Sequence, residues 1–116
     1  MYKVLIVDDE TPALRYLQTI VEKYAPSYEI AGCCTSGEEA LARLQKEHID
    51  LLLTDISMPA MDGITLSMEA RQMQPDIHIK LVEALCDKEI GVIRDSFLQS
   101  SKSFKHVTPP YQLRSI

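Results

Sequence analysis

The stretch IDLLLTD, residues 49–55, decides the fold of this 116-residue chain. Its apolar run from Ile49 to Thr54 predicts a strand that is buried on both faces, as in the middle of a parallel sheet. A second apolar run, residues 4–7, ends on the acidic pair Asp8-Asp9, just as the first run ends on Asp55. The two runs therefore predict neighbouring strands with acidic side chains at their carboxyl ends.

Short apolar runs alternate with helical patterns through about residue 81, which is typical of a parallel sheet with helices on its faces. The pattern predicts strands over residues 2–7, 28–34, 49–54 and 77–82, and helices that begin at Thr11, Ser36 and Ile64 and end near Pro26, Lys46 and Met73. Thr11 is the expected N-cap of the first helix, with Pro12 at its first position. The sequence Ser36-Gly37-Glu38-Glu39 fits a capping box.

The fourth predicted strand has an alternating pattern in which His78 and Lys80 separate apolar residues. Alternation indicates one solvated face or an edge position, because desolvating a lysine is costly. We therefore predict an α/β fold of the flavodoxin-like, doubly wound type with strand order 2-1-3-4. Any fifth strand should be short, displaced or supplied by a partner. An exposed strand edge invites pairing with another chain, so a homodimer is a further expectation.

Composition restricts the class of protein. A chain of 116 residues with 46% hydrophobic residues predicts one domain over residues 1–116. The formal net charge of −5 argues against direct nucleic-acid binding, and no apolar run approaches the ~20 residues that a membrane helix needs. The amino-terminal residues do not have the pattern of a signal peptide. Cys33, Cys34 and Cys86 fit neither a zinc site nor a disulfide framework, which favours reduced thiols in the cytoplasm.

The three acids predict a cation site. Ligands of open α/β sheets bind beyond the carboxyl ends of the strands, where Asp8, Asp9 and Asp55 are expected to meet. Three ionised carboxylates at close range repel one another, so either a proton or a cation must enter. Mg²⁺ suits such hard oxygen ligands, and a carboxylate beside it can attack phosphorus to form an acyl phosphate.

Residues 1–80 resemble the receiver domain of bacterial two-component response regulators. The resemblance is carried by three segments, VLIVDDE at residues 4–10, Asp55 at the end of an apolar strand, and the loop residues Met58-Pro59 and Asp62-Gly63. It implies that Asp55 is the phosphoacceptor and that a sensor histidine kinase is the donor. Transfer and hydrolysis would then be self-catalysed, and the protein would not be a metabolic enzyme.

The same resemblance implies a ligand set for the metal. Asp8 and Asp9 would form the acid pocket, with Asp9 the more direct Mg²⁺ ligand beside Asp55. The backbone carbonyl of Ser57 would complete the protein ligands, while its side chain faces the entering phosphoryl group. Pro59 and Gly63 would shape the loop, and Gly63 is expected to supply a backbone conformation that a side chain would hinder.

The resemblance stops after about residue 80, so residues 83–116 form an atypical segment. Receivers usually carry Ser or Thr at the end of the fourth strand, where this chain has Glu83 and Ala84. Lys105 is the candidate for the usual fifth-strand lysine, but His106 follows it in place of Pro. The segment is an altered reading frame, a natural replacement, or a part completed by another chain. The missing hydroxyl predicts an impaired output switch.

Two alternative functions remain open. A pseudo-receiver would never carry phosphate and would act as a protein-binding module, which the missing hydroxyl favours and the intact acids oppose. A small phosphohydrolase with an aspartyl-phosphate intermediate is the other alternative. Enzymes that resemble the haloacid dehalogenase group carry Asp-x-Asp on one strand, whereas Asp8 and Asp9 are contiguous here.

Overall fold

Four parallel strands and one short antiparallel strand form a five-stranded sheet in the computed structural model, which describes residues 1–82 and 114–115. The elements in chain order are β1 (Tyr2–Val7), α1 (Thr11–Tyr24), β2 (Tyr28–Cys34), α2 (Gly37–Leu44), β3 (Leu51–Asp55), α3 (Gly63–Met73), β4 (His78–Val82) and β5 (Arg114–Ser115). None of the helices within these described residues is long and apolar enough to cross a membrane.

The strand order is β2-β1-β3-β4-β5, which confirms the predicted order 2-1-3-4. β1 and β3 are central and pair in parallel from Val4 opposite Leu51 to Val7 opposite Thr54. β5 is short and antiparallel, and it pairs only with Lys80 and Leu81 of β4. The carboxyl ends of the four parallel strands therefore lie at one end of the sheet.

Alternation along the central strands divides the core into two clusters, one on each face of the sheet. Leu51 and Leu53 face the α1 side, and Leu52 faces α2 and α3. All three are fully buried, which confirms the predicted burial of this strand on both faces. Burial of one leucine side chain contributes about 1.5–3 kcal/mol, so the three leucines anchor β3 firmly between the two layers of helices.

The helix starts differ in detail from the expected caps. Glu10, rather than Thr11, is the N-cap residue of α1, and no side-chain hydrogen bond caps this helix. The Ser36 hydroxyl caps α2 as predicted, because it accepts the Glu39 N–H at 3.2 Å. The Glu39 carboxylate, however, accepts from the Thr35 hydroxyl at 3.4 Å, so the reciprocal bond of the capping box is displaced by one residue.

Lys80 corrects the expectation of a solvated face on β4. Its exposed fraction is only 3%, whereas His78 is half-buried. β4 is not a free edge at this point either, since Lys80 pairs with Leu53 on one side and with Ser115 on the other. Burial lowers the pKa of Lys80 to about 8. No carboxylate of the described part of the chain forms an ion pair with it.

Several expectations concern residues outside the described ranges. These are the placement of Lys105 and of Glu83 and Ala84, which follow the fourth strand. The origin and role of residues 83–116 also remain predictions.

Candidate functional site

Three carboxylates meet at the carboxyl ends of the two central strands. Asp8 follows β1 and Asp55 ends β3, and the register places their neighbours Val7 and Thr54 opposite each other. Asp8, Asp9 and Asp55 each offer one carboxylate oxygen, and these three oxygens all lie within 4.8 Å of one another. We call these three residues the acid cluster. The structure thus brings together the three side chains that the sequence predicted.

The backbone fixes the deepest member of the cluster. Asp8 has an exposed fraction of 4%, and its N–H donates to the carbonyl of Cys34 in β2 at 3.0 Å. Its carboxylate Oδ1 accepts the N–H of Glu10 at 2.9 Å, which turns the chain into α1. Asp9, between them, is exposed and can reach solvent or a ligand. The end of β1 therefore holds Asp8 in the interior of the protein and Asp9 at its surface.

Burial and mutual repulsion disfavour the ionised form of two members. Burial raises the pKa of Asp55 to about 6, and the charges of Asp8 and Asp9 add to the effect. Hydrogen bonds from the N–H groups of Ile56 and Ser57 oppose this shift only in part. The pKa of Asp8 is also raised, mainly by burial, although the Glu10 N–H lowers it. A cation at this point would replace the protons and relieve the repulsion.

The loop after β3 passes so close to the strand that position 63 cannot carry a side chain. A Cβ at Gly63 would lie 2.0 Å from the carbonyl oxygen of Asp55. The Gly63 N–H also donates to the carbonyl of Ile56 at 2.7 Å. A side chain at position 63 would therefore be hindered, as predicted, and the cause is the close approach to β3, since Gly63 has no positive φ. Within residues 1–82, Ala60 is the non-glycine residue with a positive φ, 66°.

Neighbouring side chains fix this loop between β3 and α3. Met58 and Met61 are partly buried and pack against the hydrophobic core on the α2 and α3 face of the sheet. The Asp62 carboxylate caps α3, since it accepts the Thr65 N–H at 2.7 Å. The same hydrogen bond is the main cause that lowers the pKa of Asp62. Asp62 therefore shapes the loop and is not a member of the acid cluster.

Sequence reasoning missed one polar contact beside the phosphoacceptor candidate. The hydroxyl of Thr54, whose residue is fully buried, donates to the backbone carbonyl of Asp55 at 2.9 Å. The same carbonyl lies against Gly63, so Thr54 and Gly63 together fix the backbone of Asp55. A threonine directly before an acid at the end of an apolar strand is the sequence signal that could have indicated it.

The acid cluster fits a hard divalent cation. Carboxylate oxygens are the ligands that Mg²⁺ prefers, and one exposed member leaves room for water and a phosphate. Ser57 is exposed and follows Asp55 by two residues, consistent with a place beside the cluster. Its backbone carbonyl as a ligand remains a prediction, as does the role of Lys105.

Comparisons with known proteins identify the relatives of this chain. A family model described as the response regulator receiver domain matches residues 4–92. The response regulator receiver protein CpdR of Brucella abortus (strain 2308) is 31% identical over 116 residues, which cover 100% of this chain and 91% of that protein. A probable transcriptional regulator, ycf27 of Cyanophora paradoxa, is 39% identical over 85 residues, 73% of this chain. The chain covers only 34% of the length of that regulator.

The chain is also similar to the response regulator protein TrrA from Thermotoga maritima, whose crystal structure was solved in complex with Mg²⁺ and BeF. The two chains are 33% identical with a TM-score of 0.66, over 73% of this chain and 71% of that one.

Proposed function

Since this chain belongs to the response regulator receiver domain family, we propose that it accepts a phosphoryl group on Asp55 in a phosphorelay. The observation that carries the proposal is the acid cluster, in which Asp55 ends a central strand with one oxygen within 4.8 Å of oxygens of Asp8 and Asp9. The donor would be a phosphohistidine of a sensor histidine kinase. The exchange would take place in the cytoplasm, which is consistent with the free thiols of Cys33 and Cys34.

The proposed transfer uses the Asp55 carboxylate as nucleophile. One carboxylate oxygen attacks phosphorus, the P–N bond of the phosphohistidine breaks, and its electron pair returns to the imidazole nitrogen. The N–H groups of Ile56 and Ser57 favour the ionised form of this carboxylate, while the Ile56 N–H donates to the carbonyl of Val82 at 3.2 Å. Thr54 and Gly63 hold the backbone of Asp55 while the side chain reacts.

Asp8, Asp9, Asp55 and the Ser57 carbonyl would hold Mg²⁺. When bound, the ion neutralises negative charge on the phosphoryl oxygens during transfer. Asp8 is buried and fixed by its hydrogen bond to Glu10, so it would position the ion, while exposed Asp9 would contact it more directly. The chain would act as a phosphoacceptor with self-catalysed transfer and hydrolysis, and it would not turn over a metabolic substrate.

Phosphorylation by a small acyl phosphate tests this proposal. With Mg²⁺, we expect intact-mass spectrometry to show one added phosphate on the wild-type chain and none on the Asp55→Asn variant. Asp62→Asn is the matched control, because Asp62 lies seven residues after Asp55 and outside the acid cluster. Its carboxylate caps α3, and asparagine is also a good N-cap residue, so the fold should be kept. Label that persists in Asp55→Asn, or is lost in Asp62→Asn alone, would refute the assignment of Asp55.

A binding module that carries no phosphate is the second candidate. It is favoured by Glu83 and Ala84, which stand where a hydroxyl is usual in receivers. The two functions differ in coupling, because an active receiver binds Mg²⁺ and beryllofluoride together. A calorimetric titration with beryllofluoride in the presence and absence of Mg²⁺ separates them. Strong Mg²⁺-dependent binding supports phosphoryl acceptance, and the lack of any binding supports the module.

A further inference from the structure

The peptide bond between Asp55 and Ile56 lies where β3 ends, and it is held at both ends. On the side of β1 the pairing stops one residue earlier, with Val7 opposite Thr54. The carbonyl oxygen of Asp55 accepts the Thr54 hydroxyl at 2.9 Å. The Ile56 N–H donates to the carbonyl of Val82 in β4 at 3.2 Å. Because a peptide unit is planar, these two hydrogen bonds together fix its orientation.

The loop before α3 closes another side of this peptide. A Cβ at Gly63 would lie 2.0 Å from the carbonyl oxygen of Asp55, 2.9 Å from its carbonyl carbon and 3.0 Å from the Cα of Ile56. The Gly63 N–H donates to the carbonyl of Ile56 at 2.7 Å, so the close approach is bonded as well as packed. The peptide therefore has no room to turn toward Gly63. Among the described residues, Thr54 is the side chain that holds its oxygen.

The Thr54 hydroxyl stands in an apolar layer. Thr54 has an exposed fraction of 0% and lies two residues after Leu52, so by the alternation of a strand it shares the face that packs against α2 and α3. A hydroxyl buried among apolar groups costs free energy unless it is hydrogen-bonded, whereas a valine of the same shape would fill this space without that cost. Packing thus needs the shape of Thr54 but not its oxygen. What the oxygen adds is the hydrogen bond to Asp55.

We propose that Thr54 is a positioning residue for Asp55, because its hydroxyl fixes the peptide that follows Asp55 and so fixes the direction of the Asp55 carboxylate within the acid cluster. The inference rests on the proposed function of Asp55 as the nucleophile. Attack on phosphorus requires the carboxylate oxygen in line with the bond that breaks, and a small misplacement of a reacting group can cost about 100-fold in rate. Thr54 is fully buried and cannot touch the phosphoryl donor. Its loss should therefore lower the rate of transfer and leave the affinity for the donor unchanged.

The test measures the rate of phosphate addition to the full chain against the concentration of acetyl phosphate, with Mg²⁺ and intact-mass detection. Thr54→Val removes the hydroxyl and keeps the shape, whereas Thr54→Ser keeps the hydroxyl. Ser67→Ala is the matched control, because Ser67 is also fully buried and its hydroxyl donates to another backbone carbonyl, that of Gly63, at 2.6 Å. We expect the maximal rate of Thr54→Val to fall about tenfold or more at an unchanged half-saturating concentration of acetyl phosphate. Thr54→Ser and Ser67→Ala should stay within about threefold of the wild type.

A second measurement follows the hydrogen bond itself and needs no phosphate. In isotope-labelled chains, the resonances of the Asp55 carbonyl carbon and of the Ile56 N–H should shift in Thr54→Val and stay close to their wild-type positions in Thr54→Ser. Unchanged resonances in Thr54→Val would overturn the proposal, because the peptide would then keep its orientation without the hydroxyl.

The rates separate a failure of this inference from a failure of the proposed function. The inference is overturned, with Asp55 still the acceptor, if Thr54→Val takes up phosphate as fast as the wild type or if Thr54→Ser is slowed as much as Thr54→Val. An equal loss in Ser67→Ala has the same meaning, because any buried hydroxyl would then serve. So does a Thr54→Val chain that does not fold, since the hydroxyl would then be needed for the fold itself. A wild-type chain that takes up no phosphate would refute the proposed function and this inference together.

Discussion

Asp55 shows how a residue of a candidate site can destabilise the fold that holds it. Its pKa is raised from 3.8 to about 6 by burial and by Asp8 and Asp9. Between those two pH values the folded chain binds more protons at this site than the unfolded chain. The site's contribution to the free energy of unfolding is therefore highest below the lower value and falls as the pH rises through about 6.

The first prediction is that Asp55→Asn stabilises the chain at neutral pH. In urea unfolding at pH 7.5 with a chelator, we expect a gain of about 1–2 kcal/mol, a figure reduced because the group is partly solvated. Near pH 3.5 the difference should vanish, since both the folded and the unfolded carboxyl are then largely protonated. Asp62→Asn should give no such gain, because the pKa of that carboxyl is lowered. Equal stability of Asp55→Asn and wild type at pH 7.5 would contradict the electrostatic account.

The second prediction compares two glycines. Gly63→Ala would place a Cβ 2.0 Å from the carbonyl oxygen of Asp55, and only a backbone shift can relieve that contact. Gly37→Ala would place one 2.8 Å from Met61 Sδ, which lies on a flexible side chain. We expect thermal and urea unfolding to show a loss of about 3 kcal/mol for Gly63→Ala and under about 1 kcal/mol for Gly37→Ala. The order of the two losses is the test, and a reversal would refute the close-approach argument.

At the scale of the elements, the side chain of Gln74, directly after α3, connects the end of α2 to the residues before β3. The Gln74 amide donates at 2.9 Å to the carbonyl of Leu44, the last residue of α2, and at 2.9 Å to the carbonyl of Glu47, which lies beyond that helix. Its oxygen accepts the N–H of Ile49, before β3, also at 2.9 Å. The third prediction is that Gln74→Ala costs about 2 kcal/mol of unfolding free energy, because buried polar groups lose their partner. Gln72→Ala, on the exposed face of the same helix, should be close to neutral.

The fourth prediction concerns the buried lysine of β4. Burial lowers the pKa of Lys80 from 10.5 to about 8, so the folded chain loses this proton before the unfolded chain does. Stability therefore rises with pH between about 8 and 10.5, and at pH 7 the buried charge is a cost. Lys80→Met should stabilise the chain by roughly 2 kcal/mol at pH 7, and less at pH 10. Exposed Lys46→Met is the control, and a destabilised Lys80→Met at both pH values would show that Lys80 has an unrecognised partner.

Local patterns predicted some elements well and others poorly. The predicted bounds of β1 and β2 agree with the structure, because both strands are set by their own apolar runs. The acid cluster was also predictable, since carboxyl ends of neighbouring parallel strands must meet. The burial of Lys80 was not, because the alternating pattern of β4 indicates a solvated face and burial depends on segments remote in sequence. The hindrance of a side chain at Gly63 was predicted, but the atom responsible for it was not, since the path of a loop over a strand has no local signature.

The start of α1 illustrates a subtler limit. Thr11 and Pro12 are good residues for a helix start, yet Glu10 is the N-cap. The Glu10 N–H is bound by the Asp8 carboxylate, so the geometry of the acid cluster fixes where the chain turns into the helix. A tertiary requirement at the site thus overrides the local preference by one residue.

At the scale of the whole molecule, the fifth prediction is that ligand binding and output are weakly coupled. A ligand shifts a conformational equilibrium only by its differential affinity for the two states. The usual hydroxyl at the end of the fourth strand is replaced by Glu83 or Ala84, and a hydrogen bond to a charged group contributes about 1.5–3 kcal/mol. With Mg²⁺ and beryllofluoride, amide spectra should change near Asp9, Asp55 and Ser57 and little beyond Val82.

The result that would refute weak coupling is a set of large shifts throughout residues 83–116. The chain without Mg²⁺ is the control for binding of beryllofluoride alone. A second control is Asp55→Asn with both additions, in which the shifts near the acid cluster should disappear.

The position of the acid cluster on the two central strands has a consequence for how such genes diverge. Asp8, Asp9 and Asp55 all lie in the first half of the chain, and both strands that carry them are flanked by other strands. A deletion, fusion or shifted reading frame in the last third of the gene would leave every one of these codons intact. We therefore expect such changes to leave the acid cluster in place while the distal residues vary.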